Sequence, residues 1–268
     1  MGLCPTPVYS ATPAGNLYGT TSRGGASEFG TVFKLDTNDK ESVLYSFGGS
    51  PDGAFPFSGL VQDNAGSLYG TTDQGGASGA GAVFKLDTAG TGTVLHSFAG
   101  SPDGSDPQAG LVLDAAGHLY GVTAQGGSTI YGTVFKLDTA GTETVLHSFV
   151  AGSDGLESYA GLVRDAAGNL YGTTMNGGNP ELDDGYGNGM VFKIDKPAKK
   201  RCSTSLEGRR MGHFPALAWS ATMLAIFTAR RPLVVGAGAE QYSRSTQAAR
   251  RPCCTPWQER MGFTPMAV

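Results

Sequence analysis

The chain has 268 residues, 42 of them glycine, and only 16% of its residues are charged. This composition, with a formal net charge of −4, excludes a coiled coil, a basic nucleic-acid-binding protein and a highly charged disordered chain. The charge is unevenly placed, because residues 1–200 carry 10 Lys and Arg against 20 Asp and Glu, whereas residues 201–268 carry nine Arg against three Glu. The first part of the chain is therefore acidic and glycine-rich, and the second part is basic.

The first part is a tandem repeat with a period of 51 residues, defined by the motifs Leu-Tyr-Gly, Val-Phe-Lys and Ser-Phe. Leu-Tyr-Gly begins at Leu17, Leu68, Leu119 and Leu170, Val-Phe-Lys begins at Val32, Val83, Val134 and Val191, and Ser-Phe begins at Ser46, Ser97 and Ser148. The last Val-Phe-Lys interval is 57 residues, because the fourth unit has an insertion within Asn179–Asn188. Three motifs kept in one register predict an array of structural repeats.

Each unit is predicted to form four short strands. In the second unit these strands cover 59–62, 67–72, 82–86 and 93–98, and they are rich in β-branched and aromatic residues. Asp63–Gly66 joins the first strand to the second, and Asp87–Gly90 joins the third to the fourth. An opening Asp and a closing Gly are typical of a type I turn followed by a left-handed residue, so both segments are predicted to be tight hairpins.

A four-stranded antiparallel unit of this length is typical of a β-propeller blade, which covers its apolar faces by stacking on neighbouring blades. The predicted fold class is all-β: a β-propeller or an open propeller-like arc of about four four-stranded antiparallel blades, plus an irregular C-terminal tail. Residues 1–196 are assigned to the array, and residues 197–268 to an Arg-rich tail that is poorly ordered or unrelated. The sequence does not decide between a closed ring and an open arc. The first unit starts with Val8–Ser10 in place of Gly-Leu-Val, and the register stops after Asp195, before a fourth Ser-Phe strand.

The unit consensus, clearest in Gly110–Phe149, combines Gly-Leu-Val, Asp-x-x-Gly, Leu-Tyr-Gly, Gly-Gly, Val-Phe-Lys-Leu-Asp and Val-Leu-His-Ser-Phe. Over residues 14–195 this pattern resembles the GloVer tandem repeat of bacterial choice-of-anchor proteins. The resemblance implies a propeller-like protein that is secreted or displayed at the cell surface, with no established chemistry. Both ends of the chain depart from the family pattern.

The two remaining loops of each unit are expected on one rim, because alternate connections of an antiparallel sheet lie at opposite ends. One loop contains Gly-Gly, and the other is the Ser-Pro-Asp-Gly link between units. Binding residues tend to lie on variable loops held by a rigid scaffold, so this rim is the predicted ligand-binding face. The candidate residues are Gly24, Gly25, Asp52, Asp73, Gln74, Gly75, Gly76, Asp103, Gln125, Gly126, Gly127, Asp154, Asn176, Gly177 and Gly178. The alternative is that these residues serve only the turn geometry.

No cofactor, metal ligand or catalytic residue is predicted. A structural Ca²⁺ is kept as an alternative through Asp103 and Asp106, or through Asp183–Asp184, although no loop matches the twelve-residue calcium-binding pattern. His96 stands where the first unit has Tyr45 and is interpreted as a packing residue, and no His–Cys spacing matches a zinc site. Catalysis has little support because nearly every polar residue recurs in other units, and the acidic array argues against nucleic acid.

The tail contains an apolar stretch, Phe214–Ala229, which is shorter than the roughly 20 residues of a membrane span. It is interpreted as a marginal anchor, an unrelated fusion or the product of a different reading frame. No secretory leader is visible at the N-terminus, and all four Cys residues lie outside the array.

The leading hypothesis is a non-enzymatic, secreted or surface scaffold that binds a ligand or partner, such as a carbohydrate or a cell-surface protein, at the loop-rich rim. A second hypothesis is a carbohydrate-acting enzyme, which would need convergent carboxylates near the axis. A third is an incomplete gene product without independent function. Self-association is expected if the ring is incomplete.

Overall fold

The computed structural model describes residues 10–11, 15–152, 154–178, 189–195 and 199–205. Within these ranges every regular element is a β-strand. This part of the chain contains no helix that could cross a membrane. The insertion with Asp183–Asp184 and the apolar stretch Phe214–Ala229 lie outside the described residues.

Sixteen strands form four antiparallel sheets, each built in chain order from one sequence unit. The first blade contains β1 (Ser10–Ala11), β2 (Leu17–Thr21), β3 (Thr31–Leu35) and β4 (Glu41–Ser46). The second contains β5 (Val61–Gln62), β6 (Leu68–Thr72), β7 (Ala82–Leu86) and β8 (Gly92–Ser97). The third contains β9 (Val112–Leu113), β10 (Leu119–Thr123), β11 (Thr133–Leu137) and β12 (Glu143–Ser148). The fourth contains β13 (Val163–Arg164), β14 (Leu170–Thr174), β15 (Met190–Asp195) and β16 (Lys199–Ser205). The predicted all-β, propeller-like architecture of four-stranded blades is thus confirmed.

The second and third strands of each blade form its buried centre, and a glycine in the second strand faces a phenylalanine in the third. Gly70 pairs with Phe84, and a Cβ built on Gly70 would lie 2.7 Å from the ring. The equivalent pairs are Gly19–Phe33, Gly121–Phe135 and Gly172–Phe192. The strand therefore needs glycine because the ring packs directly over its backbone.

A bulge recurs between the third and fourth strands of every blade. In the second blade Val83 pairs with His96 and Phe84 pairs with Val94, so Leu95 is the extra residue. Leu95 packs against the apolar cluster that joins the second blade to the third. The bulge therefore makes Leu95 part of the contact between blades.

The apolar contacts of the described residues join blades that are neighbours in the sequence. The phenylalanine of each Ser-Phe motif meets a third-strand phenylalanine of the next blade, edge to face. The ring pairs are Phe47–Phe84, Phe98–Phe135 and Phe149–Phe192, with centroid separations of 5.0, 5.1 and 5.1 Å. Apolar clusters join the first blade to the second, the second to the third and the third to the fourth. Among the described residues no cluster joins the fourth blade to the first, so the four blades form an unclosed arc.

The Asp-x-x-Gly segments form the predicted hairpins on one edge of the arc, which we call the turn rim. Asp63 Oδ1 accepts hydrogen bonds from the backbone N–H groups of Ala65 and Ser67, and Gly66 has a φ of 89°. The outer oxygen, Asp63 Oδ2, accepts a hydrogen bond from Tyr69 Oη. The interpretation of these Asp residues as turn formers is confirmed.

The prediction that the last unit lacks its fourth strand is wrong. Lys199–Ser205 pairs with Met190–Asp195 and continues past residue 196, and Ser205 lies opposite Met190 in the register that Ser148 has with Thr133. Strand pairing uses backbone groups, and an outermost strand can be polar. The apolar motif that marks the fourth strand in the other units was therefore not required here.

Candidate functional site

The rim opposite the turn rim, which we call the loop rim, is a hydrogen-bonded layer made of the Gly-Gly loops and the links between blades. Ala54 of a link pairs with Gln74 of a Gly-Gly loop, and the same bridges join Ser105 to Gln125 and Leu156 to Asn176. The predicted meeting of these two loop types on one rim is confirmed. The rim is therefore a preformed surface in which loop backbone supports loop backbone.

The predicted glycines of the loop rim mainly permit close backbone approach. Gly75 has a φ of 81°, and a Cβ on it would lie 2.7 Å from the backbone of Gly53. Gly126 meets the backbone of Gly104 in the same way, and Gly177 meets Gly155. The pairs Gly75–Gly76, Gly126–Gly127 and Gly177–Gly178 are buried, whereas Gly24 is half-buried and Gly25 is exposed. Ligand contact by these glycines stays a prediction.

The predicted aspartates of the links fasten the end of one blade to the start of the next. Asp52 Oδ2 accepts hydrogen bonds from the Gly48 N–H and from Tyr45 Oη. The carboxylate of Asp103 accepts from the Ala99 N–H and lies 3.2 Å from His96 Nε2. Asp154 repeats the arrangement with the Val150 N–H and with His147 Nε2 at 2.9 Å. These contacts match the alternative interpretation, in which the link aspartates serve the loop geometry.

His96 and its equivalents do pack as predicted, but they also face the link aspartate. The His96 ring lies edge to face with Phe98 at a centroid separation of 4.8 Å, and Tyr45 contacts Phe47 at 5.3 Å. Tyr and His at this position both keep a polar side-chain atom, Oη or Nε2, within hydrogen-bonding distance of the aspartate. Sequence reasoning identified the shared aromatic position but missed its partner seven residues later, although the 51-residue register holds both at constant spacing.

Carboxylates from three successive blades act on one tyrosine, Tyr159, at the loop rim. Asp73, from the second blade, is 8% exposed and accepts a hydrogen bond of 2.8 Å from Gln108 Nε2. Burial raises the pKa of Asp106, and the negative charge of Asp73 raises it further. Burial also raises the pKa of Tyr159, followed by the charges of Glu157, Asp106 and Asp73. Asp73, Asp106 and Glu157 therefore all lie close enough to Tyr159 to act on its hydroxyl group.

Asn176 belongs to the same group, because its Nδ2 donates a hydrogen bond of 2.8 Å to Glu157 Oε2. We call the set Asp73, Asp106, Gln108, Glu157, Tyr159 and Asn176 the rim acid cluster. At the equivalent place between the first and second blades the guanidinium of Arg23 lies 5.3 Å from the centre of the Phe55 ring. The loop rim thus changes from aromatic and cationic at its start to acidic and amide-rich over the later blades.

Two members of the rim acid cluster, Asp73 and Asn176, were predicted, and the others were missed. Asp106 was considered only as a calcium ligand beside Asp103, but the structure gives these two residues different neighbours, Asp73 and His96 respectively. The sequence did contain a signal for these acidic residues, because Asp106 and Glu157 occupy the repeat position that holds Phe55 in an earlier unit. A repeat position that changes from apolar to acidic marks a place where packing does not fix the residue.

Comparisons with known proteins agree with the repeat architecture. A family model of the Gloeobacter/Verrucomicrobia repeat matches residues 5–218. No curated protein matches the chain.

Several solved structures are similar. A candidate gluconolactonase is 13% identical with a TM-score of 0.45, and the match covers 74% of this chain and 62% of that protein. An α-L-arabinofuranosidase from Clostridium thermocellum is 16% identical with a TM-score of 0.46, covering 78% and 75%. A luciferin-regenerating enzyme is 18% identical with a TM-score of 0.43, covering 75% and 64%. The chain spans less than two thirds of the first and third of these proteins, and similarities at this level support no conclusion about activity.

Proposed function

The chain belongs to the Gloeobacter/Verrucomicrobia repeat family, and from that premise we propose that it is a non-enzymatic scaffold that binds a carbohydrate at its loop rim. The rim acid cluster carries this proposal. Three successive blades each contribute a carboxylate to it, namely Asp73, Asp106 and Glu157. A site built from several blades on a rigid arc is preorganised, which lowers the entropic cost of binding.

The mixture of polar groups favours a polyhydroxylated ligand. Carboxylates accept hydrogen bonds, the amides of Gln108 and Asn176 both donate and accept, and the Tyr159 hydroxyl does both. Sugar hydroxyl groups likewise donate and accept, so they can pair with every member of such a set. The raised pKa of Asp73 and Asp106 adds carboxyl groups that more readily take a proton and can then donate as well.

A carbohydrate-binding assay tests this proposal. The full-length chain is applied to an array of glycans, and the bound class is then titrated with the wild type and with Asp106→Asn and Glu157→Gln. Each variant is expected to weaken binding by roughly tenfold or more, because a hydrogen bond to a charged group contributes about 1.5–3 kcal/mol. Asp39→Asn is the control, since Asp39 is exposed on the turn rim. Equal loss in the control, or no glycan binding by the wild type, would contradict the proposal.

A carbohydrate-acting enzyme is the second candidate, and the electrostatic contact between Asp73 and Asp106 favours it. Burial raises the pKa of both carboxyl groups, and the charge of Asp73 raises that of Asp106 further. Neighbouring carboxyl groups with shifted pKa values are typical of acid–base sites. The two candidates separate in an assay of chromogenic glycosides of the glycan class found on the array. The scaffold proposal expects no turnover. Turnover that disappears in Asp73→Asn would instead establish the enzyme.

We further propose that the protein acts outside the cell, as the resemblance to choice-of-anchor proteins implies. A glycan-binding rim would meet its ligand at the cell surface. The test is protease treatment of intact cells that produce the full-length protein. Digestion of the array in intact cells is expected, and protection until the cells are lysed would place the protein inside.

A further inference from the structure

A cluster of three metal-ligating side chains lies where the second blade meets the third, outside the rim acid cluster. His96 comes from β8, Asp103 from the link that follows it, and Glu143 from the first position of β12. Each offers one nitrogen or oxygen atom, and these atoms all lie within 4.8 Å of one another. Among the described residues this is the one group of three His, Cys, Asp or Glu side chains held so close together.

The spacing suits a small divalent ion with nitrogen and oxygen ligands. Donors bound to zinc at 2.0–2.1 Å in a tetrahedron lie roughly 3.3 Å apart. His96 Nε2 and both oxygens of Asp103 already stand at 3.2 Å. The three ligand atoms, all within 4.8 Å of one another, need only a small movement of Glu143 to reach this spacing. Since all three side chains are half-buried, a water molecule could supply the fourth ligand.

Glu143 also has an oxygen to which no described residue donates a hydrogen bond. Its Oε1 atom is buried and has no hydrogen-bond partner among the described residues. A buried carboxylate oxygen without a partner is costly, and here a second carboxylate, Asp103, lies beside it. A cation between the two carboxylates would compensate both charges.

The other blade interfaces have the same pair of an aromatic residue and a link aspartate, but they lack the third ligand. Between the first two blades, Tyr45 and Asp52 form the pair, and Gly92 stands at the position of Glu143, where a Cβ would lie 2.5 Å from the Tyr45 ring. Between the last two blades, His147 and Asp154 form the pair, and the register places Lys200 at the third position. The Tyr45 ring thus requires a glycine at the position across the interface, whereas the shorter His96 leaves room there for the carboxylate of Glu143.

We propose that His96, Asp103 and Glu143 bind a divalent transition-metal ion, with zinc the best match, which fastens the second blade to the third. Imidazole and carboxylate ligands together suit zinc. Because the ligands come from two blades, the ion would hold the interface closed as well as neutralise the carboxylates. The proposal gives His96 a role beyond the packing that the sequence predicts.

The test uses the full-length protein after removal of metal with a chelator. Zinc is titrated by calorimetry into the wild type, into the double variant His96→Tyr with Glu143→Gly, and into Glu143→Gln. The double variant reproduces the Tyr45–Asp52–Gly92 arrangement that the chain already folds with, and Glu143→Gln keeps the side-chain shape. His147→Tyr is the matched control. The wild type and the control are expected to take up one more equivalent of zinc than the double variant, and Glu143→Gln to bind at least tenfold more weakly.

Two further measurements make the outcome decisive. Zinc at 100 times its dissociation constant is expected to raise the melting temperature of the wild type by about 5 °C or more, and this rise should vanish in the double variant. X-ray absorption at the zinc edge is expected to show nitrogen and oxygen at about 2.0–2.1 Å. Equal zinc uptake by all variants would place the metal elsewhere in the chain, and sulfur at about 2.3 Å accounting for all bound zinc would place it on cysteines. Either result would overturn the proposal.

Discussion

Replacing the glycine under a buried phenylalanine should damage a blade through overpacking. In Gly121→Ala the new methyl group would lie 2.5 Å from Cζ of Phe135 and 2.9 Å from Cδ2 of Leu111. Carbon atoms normally pack at about 3.5–4.0 Å, so the ring must retreat by about 1 Å. Phe135 is fully buried and contacts Phe98 of the preceding blade. Its displacement therefore disturbs both the blade and the contact between blades.

The expected magnitude combines two opposing terms. Overpacking of a dense core costs about 1–3 kcal/mol, whereas replacing glycine by alanine gains about 0.5–1 kcal/mol by restricting the unfolded chain. Gly121→Ala should thus destabilise the protein by about 1–2 kcal/mol. The measurement is urea unfolding followed by far-ultraviolet circular dichroism, with the slope checked because repeat arrays can lose cooperativity.

Two variants distinguish overpacking from a general effect of the substitution. Gly110→Ala is the control, since its Cβ would come no closer than 3.9 Å to any atom, and it should be neutral or slightly stabilising. Adding Phe135→Leu removes the ring that the methyl group strikes, so the double variant should lose about 1 kcal/mol less than the sum of the single changes. Equal effects of Gly121→Ala and Gly110→Ala, or strict additivity in the double variant, would refute the reasoning.

Three further predictions concern the turns and the core. Hydrogen bonds lower the pKa of Asp114 to about 2 against the opposing effect of burial, so its stabilisation is present above pH 4 and is lost as the pH falls towards 2. Asp114→Asn should therefore cost about 1–2 kcal/mol at pH 7, after allowance for screening, and less at pH 2 in urea titrations; a loss independent of pH would contradict this. Phe98→Ala should cost about 3–5 kcal/mol, because the ring is fully buried against Phe135; a loss below about 1 kcal/mol would show that this contact does not hold the blades together. Gly75→Ala should destabilise more than Gly79→Ala, since both glycines have positive φ but only Gly75 meets backbone within 3 Å; equal thermal shifts would mean that backbone strain alone decides.

The regular part of the fold could be predicted because the same strand and turn motifs recur in four units of the sequence. The positions of β6, β7 and β8 were predicted to within two residues, and Asp63 was identified as a turn former. The bulge at Leu95 could not be predicted, because an extra residue in one strand shows only when the partner strand is known. β16 was missed for a related reason, because its backbone pairs with β15 although its sequence lacks the Ser-Phe motif.

The candidate site could be predicted only in part. The 51-residue register placed Asp73 and Asn176 on the correct rim. It could not show that Asp73, Asp106 and Glu157 all lie near Tyr159, because that depends on how successive blades are placed relative to one another. The proximity of His96 and Glu143 could not be predicted for the same reason, because these residues belong to different blades. Tertiary proximity between repeats is set by geometry that local patterns do not encode.

The repeated packing of each blade on the next has a consequence for the evolution of such proteins. The ring pair Phe98–Phe135 would serve equally well between any two copies of the unit, since Phe47–Phe84 and Phe149–Phe192 have the same geometry. Duplication or deletion of one 51-residue segment would create a junction that already fits. Arrays of this kind can therefore grow or shrink by whole modules while each surviving junction stays intact.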